Sequence, residues 1–74
     1  MVDVSRYPIQ VFWSEDDGGF IATVPDLPGC SAFGATRLEA VQEVQDAIEA
    51  WIEAMTAAGN PVPRPSKAVP ALHA

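Results

Sequence analysis

A short proline-rich turn, Val24-Pro25-Asp26-Leu27-Pro28-Gly29-Cys30, constrains the fold of this chain more than any other segment. Each proline ring fixes the backbone φ angle near about −65°, and glycine adopts backbone conformations that other residues resist. An aspartate between two prolines is typical of a turn in which the carboxylate bonds its own backbone two residues on. The shape of this turn is therefore specified by the sequence.

Alternating apolar residues predict three strands around this turn. The first covers residues 7–14, the second residues 20–24 and the third residues 30–34, and Asp17-Gly18 indicates a hairpin between the first two. The residues predicted to share the inner face of the first strand are Tyr7, Ile9, Val11 and Trp13, with Phe12 on the opposite face. The three strands should form an antiparallel meander.

A long helix is predicted from Arg37 to Ala58. Thr36 and Glu39 fit a capping box, in which Thr accepts from the N–H three residues on and Glu reaches back to the N–H of the cap. Gly59 and Pro61 end the helix. Its predicted apolar stripe consists of Leu38, Val41, Val44, Ile48, Trp51, Ile52 and Met55. The opposite side carries Glu39, Glu43, Asp46, Glu49 and Glu53.

These elements predict an α+β fold of order β-β-β-α, with the apolar stripe of the helix packed on one face of the sheet. Residues 1–60 form the single domain that a chain of 74 residues can support. From position 61 prolines alternate with polar and small residues, which is typical of an extended, flexible tail over residues 61–74.

The charge is strongly negative, with a net value of −6 and all ten carboxylates between Asp3 and Glu53. Such a surface repels phosphate backbones, which argues against direct binding to nucleic acid, and it attracts a basic partner. Solubility alone is the other explanation of the charge. A single cysteine, no signal peptide and no apolar run long enough for a membrane span predict a cytoplasmic protein.

No residue has the setting of a catalytic group, a cofactor ligand or a metal ligand. Glu15, Asp16 and Asp17 are consecutive on one hairpin tip, whereas a metal nuclease needs carboxylates that converge from several elements. They are either a solvated turn or a contact for a partner, and the acidic helix face leaves the same two alternatives. His73 lies in the tail, and Cys30 has no fixed base beside it.

The proline-rich turn, followed by Gly34-Ala35-Thr36 and by Glu39-Ala40, resembles the N-terminal domain of the HicB family of antitoxins over about residues 7–66. The resemblance implies a truncated ribonuclease-H-like fold without an active site. The family-motif residues are interpreted as structural: Pro25, Pro28, Gly29, Gly34, Thr36 and Glu39. The resemblance further implies a short form, because family members usually continue into a DNA-binding domain.

By the same resemblance, the chain is a non-enzymatic antitoxin of a type II pair that binds and masks a HicA-like toxin, a small basic messenger-RNA endonuclease. The residues that we expect to contact the toxin are Glu15, Asp16, Asp17 and Asp26. A homodimer or higher homo-oligomer is expected, since small domains often depend on association. The alternative is a stand-alone oligomeric module that binds a protein or a ligand and has no toxin partner.

Overall fold

The fold is known from a computed structural model that describes residues 6–66, and it confirms the predicted α+β architecture. The elements in chain order are β1 (Gln10–Ser14), β2 (Gly19–Thr23), β3 (Ser31–Gly34) and α1 (Arg37–Ala57). Their strands are hydrogen-bonded in the order β1-β2-β3, and both pairings are antiparallel. The central strand is therefore β2, and the predicted meander is confirmed.

The register of the strands separates two faces of the sheet. Side chains alternate between faces along a strand, and directly paired residues share a face. One face packs on α1 and carries Val11, Trp13, Phe20, Ala22, Ala32 and Gly34. The other face, here called the open face, carries Gln10, Phe12, Ser14, Gly19, Ile21, Thr23, Ser31 and Phe33.

The β1–β2 hairpin closes through a four-residue loop, residues 15–18. The Gly18 N–H donates to the Ser14 carbonyl at 2.9 Å, and Gly18 has a φ of 68°. None of the non-glycine residues among 6–66 has a positive φ, so Asp17 does not share the left-handed conformation that a two-residue Asp-Gly turn would need. The hairpin signal was right, and the loop is one residue shorter than the five residues between the predicted strands, because β2 begins at Gly19.

The proline-rich turn consists of two consecutive β-turns. The Leu27 N–H donates to the Val24 carbonyl at 3.0 Å, and the Cys30 N–H donates to the Leu27 carbonyl at 2.9 Å. The second turn has Pro28 before Gly29, whose φ is 83°, which is the arrangement of a type II turn. Leu27 links the two turns, and its side chain is fully buried. The turn is thus anchored in the core by its central residue.

The helix begins at the predicted cap. Thr36 has an extended backbone, and its hydroxyl accepts from the Glu39 N–H at 3.1 Å. The Glu39 carboxylate accepts from the Ala35 N–H at 2.9 Å, one residue before the cap N–H that the sequence suggested. Each side chain satisfies a backbone donor that the first helical turn cannot pair, which stabilises the start of α1.

The helix end is also confirmed. Gly59 has a φ of 77°, and its N–H donates to the Thr56 carbonyl at 3.0 Å. The Asn60 N–H donates to the Met55 carbonyl at 2.9 Å. This pair of bonds is a Schellman motif, which satisfies carbonyls that the last turn leaves free.

The first turn of α1 lies against the end of β3, at Gly34. A Cβ atom on Gly34 would stand 2.7 Å from the Ala40 Cα and closer still to the Ala40 N. This approach makes Ala40 the buried residue of the first turn. Leu38 lies about 200° away around the helix, because each residue advances about 100°. The prediction that Leu38 extends the apolar stripe is therefore wrong, and its side chain is 66% exposed.

A single hydrophobic core lies between the sheet and α1. Val44 and Ile48 of the predicted stripe are fully buried, while Val41, Trp51, Ile52 and Met55 are partly buried. The Trp51 indole N–H donates to the Pro28 carbonyl at 3.1 Å and joins α1 to the proline-rich turn. The buried hydrophobic residues are Tyr7, Ala22, Val24, Leu27, Cys30, Ala40, Val44 and Ile48.

Candidate partner-binding surface

The hairpin tip presents three carboxylates in an ordered loop. The Trp13 indole N–H donates to Glu15 at 2.7 Å, and the Ser14 hydroxyl donates to Asp17 at 2.8 Å. Glu15, Asp16 and Asp17 are all exposed. Because Trp13 also packs edge-on against Phe20, with ring centroids 5.2 Å apart, the loop is supported from the helix side of the sheet. The tip is thus a fixed, acidic and accessible feature.

Asp26 does not join this acidic tip. The tip precedes β2 and the proline-rich turn follows it, so the two lie at opposite ends of the central strand. A strand of five residues spans about 17 Å. The four carboxylates that the sequence suggested as contacts therefore fall into two separate places, and contact of either group with a partner stays a prediction.

Asp26 instead binds the segment that follows the helix. One carboxylate oxygen accepts from the Ser66 N–H at 2.7 Å, and the other accepts from the Ser66 hydroxyl at 2.6 Å. Nearby, the Tyr7 hydroxyl donates to the Pro63 carbonyl at 2.6 Å. Residues 61–66 contain no helix or strand, yet these three bonds join them to the domain. The remainder of the predicted tail lies outside the described residues, and its flexibility stays a prediction.

Two pKa shifts reflect this arrangement. The pKa of Asp26 is lowered, first by the Ser66 hydroxyl bond and then by the Ser66 backbone bond, because both favour the charged carboxylate. The pKa of Tyr7 is raised by burial of its hydroxyl and, to a smaller extent, by the negative charge of Asp26. Both shifts favour the protonated tyrosine and the ionised aspartate that the bonds require.

We expect the Ser66→Ala variant to raise the pKa of Asp26 toward its ordinary value, because the larger of the two favourable bonds is removed. Since the folded pKa is the lower one, the Asp26–Ser66 contact stabilises the fold fully above pH 3.8 and loses this effect as the pH falls through the shifted value. Titration of the Asp26 carboxyl carbon by NMR measures the change. A Ser14→Ala control should leave that titration as it is, and an unchanged midpoint in Ser66→Ala would contradict the assignment.

The exposed side of α1 forms a second acidic surface, here called the acidic helix face. From Leu38 to Ala57 the helix has no Lys or Arg, and its last turn has no basic residue. Like charges three or four residues apart are unfavourable, and negative charge near a helix C-terminus opposes the helix dipole. The members of the acidic helix face, all exposed, are Glu39, Glu43, Asp46, Glu49 and Glu53.

The acidic helix face begins at the same end of the sheet as the hairpin tip. Phe20, two residues after the loop glycine, pairs with Gly34, and α1 starts three residues after Gly34. Arg37, the first residue of α1, holds its guanidinium 5.0 Å from the centroid of the Phe20 ring. The start of the acidic helix face and the hairpin tip therefore lie at one end of the sheet.

Groups with catalytic potential are unfavourably placed in the described part of the chain. Among residues 6–66 no three His, Cys, Asp or Glu residues come together as metal ligands would. Cys30 is buried, and burial raises the pKa of its thiol, which disfavours the nucleophilic thiolate. His73 lies outside the described residues.

The sequence of this chain matches that of a known protein family over most of its length. Residues 7–73 match the sequence model of a family described as "HicB_like antitoxin of bacterial toxin-antitoxin system". This chain belongs to the HicB-like antitoxin family. The match includes the three strands, the proline-rich turn, α1 and the segment after it. Membership in the family implies an antitoxin role and a toxin partner of some kind.

Several curated relatives of this HicB-like chain carry the name UPF0150. The protein Ta0767 of Thermoplasma acidophilum is 33% identical over 86% of this chain and 93% of its own length. In Synechocystis, the protein ssr1765 is 46% identical over 68% of this chain and 63% of its own length. The Synechocystis protein ssl0259 is 40% identical over 65% of this chain and 64% of its own length.

Among residues 6–66 no helix is long and apolar enough to cross a membrane.

Some residues of this surface had no signal in the sequence. Ser66 and Tyr7 contact residues that are 40 and 56 positions away in the chain, so no local pattern indicates either bond. Trp13 was predicted on the inner face, and it does point to the helix side, but half of its surface stays exposed at the sheet end. An exposed tryptophan beside an acidic loop is a residue type that protein interfaces favour.

Proposed function

We propose that this chain binds a small basic HicA-like messenger-RNA endonuclease and inhibits it by covering the active site. The observation that carries the proposal is the acidic helix face, in which five exposed carboxylates follow one another without a compensating Lys or Arg. A solvated helix usually mixes charges of both signs, because opposite charges at this spacing stabilise it. In α1 the exposed carboxylates repel one another, and a basic partner would reduce this electrostatic repulsion.

The inhibition follows from electrostatics and needs no chemistry in the antitoxin. An enzyme that cleaves RNA must present positive charge to the phosphates of its substrate. Carboxylates that are fixed on a helix and on a hydrogen-bonded loop can occupy that positive surface in place of phosphates. The same charges accelerate the encounter of the two proteins, since complementary fields steer association. The toxin contacts that we propose are the acidic helix face and the hairpin tip, Glu15, Asp16 and Asp17.

We expect the double variant Glu43→Gln/Asp46→Asn to bind the toxin at least about tenfold more weakly at low salt, because two charges of the contact are lost. Its own stability should stay the same or rise slightly, because repulsion on the helix is reduced. A variant that binds more weakly but is at least as stable has lost the contact, whereas a misfolded variant would lose both affinity and stability. Calorimetric titration with a purified HicA-like toxin measures the affinity, and thermal unfolding measures the stability.

A matched control changes the net charge by the same amount elsewhere. Ala58→Lys/Asn60→Lys also adds two positive charges, at exposed positions beyond the end of α1 and away from the tip and the open face. This control should lose much less affinity, and the difference between the two variants should shrink as added salt screens the charges. Equal losses in both variants would exclude the acidic helix face as the contact. If a HicA-like toxin from the same organism is toxic in cells and this chain neither binds it nor restores growth, the inhibitor role fails.

A further inference from the structure

The open face of the sheet differs in chemistry from the rest of the molecule. None of its eight residues is charged, although the chain carries ten carboxylates and four basic residues. Antiparallel sheets with one solvated face normally place polar and charged side chains there. The absence of charge from this face is therefore a property that requires an explanation.

An apolar row crosses the middle of the open face. Phe12 pairs with Ile21, and Ile21 pairs with Phe33, so the three side chains stand side by side across all three strands. Phe12 is 49% exposed and Phe33 is 47% exposed, while α1 packs on the other side of the sheet. Gly19 makes room for the Phe33 ring, because a Cβ on Gly19 would come 2.5 Å from that ring. Large apolar side chains that are grouped in this way mark an interaction surface.

We infer that the open face binds the open face of a second copy of this chain. Two copies carry the same charge of −6 and repel each other, so association is least opposed through a surface without carboxylates. Face-to-face packing of the sheets also leaves both acidic helix faces on the outside, where their separation is greatest. A basic partner has the reverse preference and would be drawn to the acidic helix face. This inference does not depend on the toxin proposal.

The size of the open face predicts a reversible dimer. Strand spacing of about 4.8 Å and a rise of about 3.4 Å per residue give a patch of roughly 14 by 17 Å on each copy. A standard interface buries about 800 Å² of each partner, so this patch of roughly 240 Å² is well below the standard size. The dimer should therefore dissociate on dilution rather than persist as an obligate assembly.

Sedimentation of the full chain over concentrations from about 1 μM to 1 mM tests the inference, since this range spans weak dissociation constants. Phe12→Asp and Phe33→Asp, on opposite edge strands of the same face, should each raise the dimer dissociation constant at least about tenfold. The matched control is Leu38→Asp, which adds the same charge at an exposed apolar residue of α1 and should change the constant less than about twofold. Phe12→Ser separates loss of the ring from the added charge.

A second measurement uses the unaltered chain, so its result does not depend on whether the variants fold. On dilution of the labelled protein, NMR signals of Phe12, Ile21 and Phe33 should shift, while those of Glu43 and Glu49 should not. Added salt should strengthen the dimer modestly, because it screens repulsion between two acidic copies. Monomers throughout the concentration range, shifts confined to the helix, or an effect of only one of the two phenylalanine variants would overturn the inference.

Discussion

Gly34→Ala is expected to destabilise the fold by about 3 kcal/mol or more, at the upper end of the range for overpacked positions. The new methyl group would stand 2.7 Å from the Ala40 Cα and 2.7 Å from the Glu39 carbonyl carbon. Both neighbours are helix backbone, which cannot rotate aside as a side chain can. The first turn of α1 would have to move off the sheet, and Ala40 and Val44 would lose their packing. Denaturant unfolding followed by tryptophan fluorescence measures the change.

Gly18→Ala is the control for this prediction. It adds the same methyl group at a position where nothing lies within 4 Å, and the only strain comes from the φ of 68°. That strain costs about 1–2 kcal/mol, since the left-handed conformation disfavours a Cβ. If Gly34→Ala is no more destabilising than Gly18→Ala, the close approach of α1 to β3 is incorrect.

Leu27→Ala is expected to destabilise the domain by about 2–5 kcal/mol, because it removes a fully buried side chain from a turn that cannot collapse into the cavity. The backbone bonds of the two linked turns hold the Leu27 backbone in place on both sides. A chain of this size has a total stability of only about 4–11 kcal/mol, so the variant should lose a large share of it and unfold at a clearly lower temperature. Circular dichroism during thermal unfolding shows the loss.

Leu38→Ala gives the matched comparison, since it deletes the same atoms from a side chain that is 66% exposed. Its effect should be within about 0.5 kcal/mol, as for most surface substitutions. Similar effects at both leucines would mean that Leu27 does not anchor the proline-rich turn in the core.

Features that depend on neighbours in the chain were predicted well from the sequence. The cap at Thr36 and the helix end at Gly59 depend on bonds between residues at most five positions apart, so their signals are local. The meander follows from strands that alternate with short turns, which leaves few other ways to pair them. Two local details differ: the Glu39 carboxylate reaches Ala35 rather than the cap itself, and β1 begins at Gln10 rather than at residue 7.

Features that depend on how elements meet were not visible in the sequence. Leu38 looked like a core residue because it is large and apolar, but Gly34 determines which side of the first helical turn faces the sheet. Asp26 looked like a turn residue that bonds its own backbone, yet its partner Ser66 comes after the helix. In both cases the decisive contact joins residues from different elements, and no periodic pattern records it.

The proposed toxin contact and the proposed contact with a second copy lie on opposite sides of the molecule. The acidic helix face and the hairpin tip are available to a basic toxin, while the open face is available to a second copy. If both proposals hold, one dimer can carry two toxin molecules on its outer sides without competition between the two contacts. Residues 61–66, held by Asp26 and Tyr7, lie beyond the end of β2 that is opposite the tip.

Inhibition of RNA cleavage by the purified proteins tests the central claim most directly. A purified HicA-like toxin, the proposed partner, would be assayed on RNA with increasing amounts of this chain, and with the Glu43→Gln/Asp46→Asn variant in parallel. We predict that cleavage falls to zero near equimolar antitoxin, that excess RNA substrate competes with the inhibition, and that the variant is needed at higher concentration. A stable complex that still cleaves RNA at the full rate would contradict masking of the active site.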